Sequence, residues 1–283
     1  MIEIRHRGTG DLIRTVARDS LAGVDWRDDE LSFANLAGMD LRGAQLDYCD
    51  LADADLRGAQ LDDAVLVGAT LAGADLRDAR INNAVLNGGH HASGAIFTNA
   101  LMGGTDLSGA DLRFTDMNSA DLAVAILVGA DLHNARMQRV NLAGADLRSA
   151  LLVDADLRRA DLSRANLCKA RMNGVNLIDA VLDGAILGRA ECGAAIMNLA
   201  DLRNARLIGA HLVGTHLERA NLRDADLTDA DLSGAYLGSA ILRHATVTNA
   251  NFAGVELSTA NLSFANFSEA RNAKVMNYQA NVR

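Results

Sequence analysis

Four side chains set twenty residues apart, Arg171, Glu191, His211 and Asp231, are the types that move protons: two carboxylates, an imidazole and a guanidinium. Elsewhere, adjacent His90 and His91 offer two nitrogen ligands for a metal, and three arginines, Arg203, Arg223 and Arg243, repeat at the same interval of twenty and offer guanidinium groups to an anion. Three cysteines stand at 49, 168 and 192, an odd number at a spacing that matches no metal or redox pattern. The sequence has no nucleophile elbow, phosphate-binding loop or zinc-ligand spacing. Whether any of these sets can act depends on which element brings residues twenty apart together.

That element is announced by a beat. A large apolar residue falls on every fifth position from Trp26 to Leu86 and again from Phe97 to Phe267, giving 48 centres, 36 of them leucine. Alanine stands two positions before 38 of them, and Asp or Asn commonly stands directly before: Ala-Asp-Leu, Ala-Asn-Leu. There is no proline. A helix turns through about 500° in five residues, so its leucine stripe would drift by about 140° per unit, and a simple strand needs a period of two. A chain that bends after each short extended piece does fit, with one large and one small residue inward per side. Four sides close a coil of about twenty residues, and stacked coils make a solenoid. Residues twenty apart then share a column, about 4.8 Å from one another.

The tandem motif A(D/N)LXX, running from about residue 24 to 268, resembles the pentapeptide-repeat family. The resemblance implies an all-β fold, a right-handed quadrilateral parallel β-helix of about twelve coils, some 58 Å long at about 4.8 Å per coil. Residues 1–22 break the pattern: Ile2 and Ile4 alternate, RGTGD reads as a turn and LIRTVA as a second strand, so a hairpin is expected to cap the first coil. The solenoid is expected over 23–268. In residues 269–283 the centres are lost, and Phe264, Phe267, Met276 and Tyr278 are expected to form a C-terminal cap or dimer contact.

One interruption stands out. Leu86 to Phe97 is eleven residues, one more than two sides, and the stretch 88–94 is rich in glycine. A one-residue bulge, for which glycine supplies the backbone freedom, is the expectation, with no projecting loop. His90 and His91, side by side in extended chain, point in opposite directions, and no cysteine or carboxylate is near in sequence, so no metal site is expected there. The Arg171–Glu191–His211–Asp231 column lies on a convex face and reads as a solvated ion-pair ladder, and Asp201 and Asp224 flank the arginine stripe. Cys49 and Cys192 fall on inward positions and Cys168 on an outward one.

The formal charge is −9, and of 27 basic residues only Lys169 and Lys274 are lysine. An acidic excess with both signs interleaved argues against direct nucleic-acid binding. No stretch is apolar enough to span a bilayer and MIEIRHRGTGD has no signal-peptide core, so a cytoplasmic protein is expected. No cofactor and no catalysis are expected, since a convex rod with a filled core offers no cavity. Two functional readings follow. The first is a protein-interaction scaffold using outward Val65, Val67, Val85, Ile126, Val128, Ile186 and Ile208 as an apolar partner face, between Asp106, Asp146 and Arg148. The second is implied by the resemblance, some of whose members protect DNA gyrase from quinolones. It is a DNA mimic presenting Asp106, Asp111, Asp116, Asp121, Asp131, Asp146, Asp156 and Asp161 to a basic saddle. Family members of the gyrase-protecting kind either carry projecting loops or rely on a dimeric rod; lacking loops, this chain is compared with the latter. The family and the preference for arginine over lysine suggest a bacterial source.

Overall fold

The computed structural model describes residues 1–87 and 94–274. Two compact units divide the chain, Met1–Asp146 and Leu147–Arg283. Among the described residues, no helix is long and apolar enough to cross a membrane.

The first unit opens with β1 (Ile2–His6) and β2 (Leu12–Val16), which pair antiparallel. β1 pairs on its other edge with β3 (Ala34–Asn35), giving the order β2-β1-β3. Ile4 is fully buried, and the Arg7 guanidinium donates to the carbonyl of Asp53 at 2.8 Å, so the hairpin lies against the first coils.

From Leu21 the chain repeats one five-residue side, and residues 50–54 show why its letters are what they are. Asp50 bridges in parallel to Glu30 on one coil and Thr70 on the next. Its N–H donates to Asp29 O at 2.9 Å, and the N–H of Leu51 donates the other way, to Thr70 O at 2.7 Å. The Asp53 N–H reaches Ala72 O at 2.9 Å, and the Ala54 N–H closes the corner on Leu51 O at 3.1 Å. The fifth donor, the N–H of Ala52, goes to Asp50 Oδ1 at 2.9 Å. All five backbone donors are thus satisfied, as a tightly wound chain requires. Leu51 and Ala54 are fully buried: the leucine fills the axis, and the alanine allows the corner to approach it. Asp53 has φ +53°, the left-handed value of the second residue in a type II turn.

The second unit repeats the scheme. Around Asn176, the five donors go to Ala155 O (2.9 Å), Ile196 O (2.7 Å), Asn176 Oδ1 (3.2 Å), Asn198 O (3.2 Å) and Leu177 O (3.0 Å). Threonines in the alanine position keep their buried hydroxyls bonded, Thr105 to Leu76 O at 2.7 Å in the first unit and Thr215 to Cys192 O at 2.9 Å in the second. The regularity lapses near the end. Leu262 is only half-buried, and Phe267–Glu269 form a short 3-10 turn capped by the Asn266 side chain.

The interruption differs from the one-residue bulge expected at 88–94. Bridge partners elsewhere in each unit are twenty residues apart, but Thr70 pairs with Ile96, Asp75 with Leu101, Arg80 with Asp106 and Val85 with Asp111, each twenty-six apart. Val85 to Ile96 is therefore one side of the coil, and it carries six residues beyond the usual five. Its base is closed in the ordinary way: the Ala95 N–H donates to Leu86 O at 2.8 Å, and both residues are fully buried. An eight-residue stretch, 87–94, thus stands where other corners have two residues. Gly88, Gly89, His90 and His91 lie outside the described residues.

Candidate interaction surface

The bridge residues form four columns in each unit, and these decide which outward side chains are neighbours. In the first unit the columns read Asp25, Gln45, Val65, Val85, Asp111, Asp131; Glu30, Asp50, Thr70, Ile96, Asp116, Arg136; Asn35, Asp55, Asp75, Leu101, Asp121, Asn141; and Asp40, Gln60, Arg80, Asp106, Ile126, Asp146. The acids expected to act together, Asp106, Asp111, Asp116 and Asp121, each stand in a different column. Asp131 shares the column of Asp111 and Asp146 that of Asp106, while Asp156 and Asp161 head separate columns of the second unit. Among the described residues, no column within a unit carries more than two acids in succession.

The carboxylates are also engaged. Asp161 accepts the N–H of Ser163 at 2.9 Å, Asp121 that of Ala123 at 3.1 Å, Asp116 that of Asn118 at 3.1 Å, and Asp106 both the N–H and the hydroxyl of Ser108. Where an arginine stands two residues on, it folds back onto the same carboxylate: Arg27 on Asp25, Arg42 on Asp40, Arg57 on Asp55, Arg77 on Asp75, Arg113 on Asp111, Arg158 on Asp156 and Arg203 on Asp201, all within 2.8 Å. The arginine hydrogen bond holds the carboxyls of Asp40, Asp55 and Asp75 below the usual range, and that of Asp25 at about 2. Arg57 and Arg113 each also reach the next coil, Asp75 and Asp131 respectively, at 3.7 Å.

The apolar face expected of Val65, Val67, Val85, Ile126, Val128, Ile186 and Ile208 does not assemble as one. Val65 and Val85 share a column that continues into Asp111, whereas Ile126 lies in another, between Asp106 and Asp146. The cause is the insertion, which moves the register by one side more than a single added residue would. Val67 and Val128 are half-buried turn residues, and Ile186 and Ile208 belong to the second unit.

The proton-moving column is real: Arg171, Glu191, His211 and Asp231 bridge in succession. Arg171 lies 3.4 Å from Glu191, both half-exposed. Burial pushes the Asp231 carboxyl up, but hydrogen bonds from Ser233 and Asn251 more than offset this and leave it lowered, committed to the backbone turn. The three arginines have separate partners: Arg203 pairs with Asp201, Arg223 with Asp224 at 3.1 Å, and Arg243 lies over the Phe264 ring at 5.3 Å. Cys49 and Cys192 are buried, and burial pushes their thiols up to about 12; Cys168 is partly exposed. Of the C-terminal cluster, Phe267 is buried against Phe252, ring centroids 5.2 Å apart, as a cap residue would be. Phe264 remains exposed and stacks on His244, while Met276 and Tyr278 lie outside the described residues.

Sequence reasoning missed a substitution rule. At four sides whose bridge residue is not Asp or Asn (Arg80, Arg136, Glu191 and His216), the N–H of the next turn residue is taken by a side chain from the preceding coil: Asn82 N–H by Asp62, Gln138 N–H by Asn118, Gly193 N–H by Asn173 and Glu218 N–H by Asn198, at 2.7–3.2 Å. The signal was available as an Asp or Asn twenty residues before each of these turn donors, at 62, 118, 173 and 198.

Each unit is thus a four-sided β-solenoid whose surface is dominated by side chains that serve its own turns. Pentapeptide-repeat models match residues 30–59, 49–88, 91–123, 125–164, 160–191, 200–238 and 240–271, and the chain belongs to the pentapeptide-repeat family. Among solved structures it is similar to HetL of Nostoc sp. strain PCC 7120, a pentapeptide repeat protein involved in heterocyst differentiation regulation, with 30% identity over 82% of this chain and 92% of that one (TM-score 0.39). It is also similar to a trypsin-treated variant of QnrB1, a plasmid-mediated fluoroquinolone resistance protein (16% identity, 83% and 91% covered, TM-score 0.36). A pentapeptide repeat protein of the Arabidopsis thaliana thylakoid lumen is similar over 37% of this chain and 66% of that one (26% identity, TM-score 0.25). No curated protein sequence matches the chain.

Proposed function

We propose that this protein is a non-enzymatic interaction scaffold, a right-handed solenoid of about twelve coils acting in the bacterial cytoplasm, on which a partner protein docks. The observation that carries this reading is the distribution of charge: acids are spread over four columns and paired with arginines two residues on, so the surface is mixed rather than a continuous negative band. The net charge of −9 favours the competing reading, a DNA mimic that binds gyrase and shields it from quinolones. Exposed Phe264 supports a homodimer through the C-terminal end as a further part of the proposal.

The experiment replaces Asp106, Asp111, Asp116, Asp121, Asp131, Asp146, Asp156 and Asp161 with Asn, which keeps the turn acceptor and removes the charge. Partners captured from the host are compared between the two proteins, and both are titrated into a gyrase supercoiling assay at two salt concentrations, with and without a quinolone. The scaffold reading expects the same partner on both proteins and no effect on supercoiling. Salt-sensitive inhibition or drug protection that disappears in the Asn protein would overturn it in favour of mimicry.

A further inference from the structure

In the second unit, three successive coils present Cys168, Gly188 and Ile208 at the first turn position, with Lys169 and Arg189 beside them at the second. With Ile186 and Arg206, which bridge one another, these residues line a depression of about 280 Å³. Its floor exists because residue 188 has no side chain: a Cβ there would sit 3.5 Å from Cys168 Sγ and 3.8 Å from Ile208 O. Cys168, Ile186 and Ile208 make the lining apolar. The rim is cationic. Lys169, Arg189 and Arg206 form no ion pair among the described residues, in a chain where arginine after Asp-Leu folds back onto its own carboxylate. Asp226, next to Arg206 in its column, is engaged by the N–H and hydroxyl of Thr228.

We propose that this depression is the docking point for an acidic peptide segment carrying one bulky apolar side chain, which seats between Cys168 and Ile208 while flanking carboxylates meet Lys169, Arg189 and Arg206. The proposal rests on the scaffold reading and names the chemistry of its partner. Two observations select a peptide. The volume is below the roughly 300 Å³ at which small-molecule pockets begin, enough for one side chain. The cations are on the rim, where they meet groups on either side of an anchor. An unpaired cationic cluster on an acidic protein also favours an anionic partner through charge complementarity.

Cys168 reports on occupancy, because Cys49 and Cys192 are buried. The test follows the rate of iodoacetamide alkylation of the full chain, with the Cys168→Ser protein confirming which thiol reacts. The probe is the peptide acetyl-Glu-Glu-Phe-Glu-Glu-amide. It is expected to slow alkylation saturably, with protection falling as salt rises from about 0.05 M to about 0.5 M. Replacing its Phe with Gly, or its Glu residues with Lys, is expected to abolish protection. Arg189→Glu with Arg206→Glu is expected to weaken protection about tenfold or more, and Arg189→Gln with Arg206→Gln serves if the reversal disturbs folding by circular dichroism. Equal protection by the Lys peptide, none by the Glu peptide at millimolar concentration, or full protection in the charge-altered proteins would overturn the proposal. Such a failure leaves the scaffold reading to its own capture experiment, which does not involve these residues.

Discussion

Asp161 offers the cleanest test of what the aspartates are for. Its carboxylate accepts the N–H of Ser163 at 2.9 Å, and no arginine stands two residues on. Asp161→Ala leaves that N–H to water, because the turn is half-buried rather than sealed. The net worth of such a bond is about 1 kcal/mol, equivalent to roughly fivefold in a local opening equilibrium. Asp161→Asn keeps the oxygen and removes only the charge. A solenoid is not expected to unfold in a single step, so a global midpoint is a poor measure. Native-state hydrogen exchange at Ser163 is the appropriate assay. The Ala protein should exchange about fivefold faster there, and the Asn protein should match the wild type. If the Asn protein exchanges as fast as the Ala protein, charge rather than the acceptor holds the turn. If neither differs from the wild type, the aspartates are not structural, and the mimic reading regains its main residues.

Val124 is a β-branched residue at φ +54°, 64% exposed, so Val124→Asn should stabilise the first unit by about 1 kcal/mol, read as slower hydrogen exchange around residues 122–126. The carboxyls of Asp40, Asp55, Asp75 and Asp231 are lowered in the folded state, so their contribution is present above the ordinary carboxylate value and is lost as pH falls through the folded values. Circular dichroism should show stability flat from neutrality to about pH 4 and falling below it, and a fall beginning near neutrality would contradict the assignment. Deleting residues 88–93 leaves Asn87 and Gly94 as a two-residue corner with glycine at the left-handed position. The protein should fold with stability unchanged or raised by about 1 kcal/mol from the shorter loop, whereas removing one residue, as a bulge would require, should bring no gain.

The axis of the solenoid was legible because its positions admit few residues: Leu51 and Ala54 are fully buried and repeated with little variation. The charged surface was not, because Asp in the sequence stands equally for a solvent-facing charge and for a turn acceptor. Asp106 and Asp121 look alike in both roles, and only the bond to Ser108 or Ala123 N–H separates them. The insertion was ambiguous for a different reason. A spacing of eleven from Leu86 to Phe97 can be two sides plus one residue or one side plus six, and the pairing of Thr70 with Ile96 decides it. That choice carried the apolar face with it, since Val85 leads to Asp111 rather than toward Ile126. The depression at Gly188 draws its lining from three different positions of the repeat, so no single sequence column displays it.

A period of five wound on four sides has a consequence for where function can reside. Residues that obey the motif are distributed evenly over the four sides, so a regular run such as Asp106, Asp111, Asp116 and Asp121 encircles the coil and cannot make a face. Direction enters only through departures from the motif that recur at intervals of twenty. Cys168, Gly188 and Ile208 are such a series, as are Lys169 and Arg189, and both fall at the same corner. Arg171, Glu191, His211 and Asp231 are another, but there Arg171 is met by Glu191 and Asp231 by the turn it serves. A departure whose hydrogen bonds and charges are already answered within the coil maintains the fold. One whose charges are left unanswered beside an apolar depression is available to a partner, and by that criterion the corner formed by Cys168, Arg189 and Ile208 is the place to seek the partner's contact.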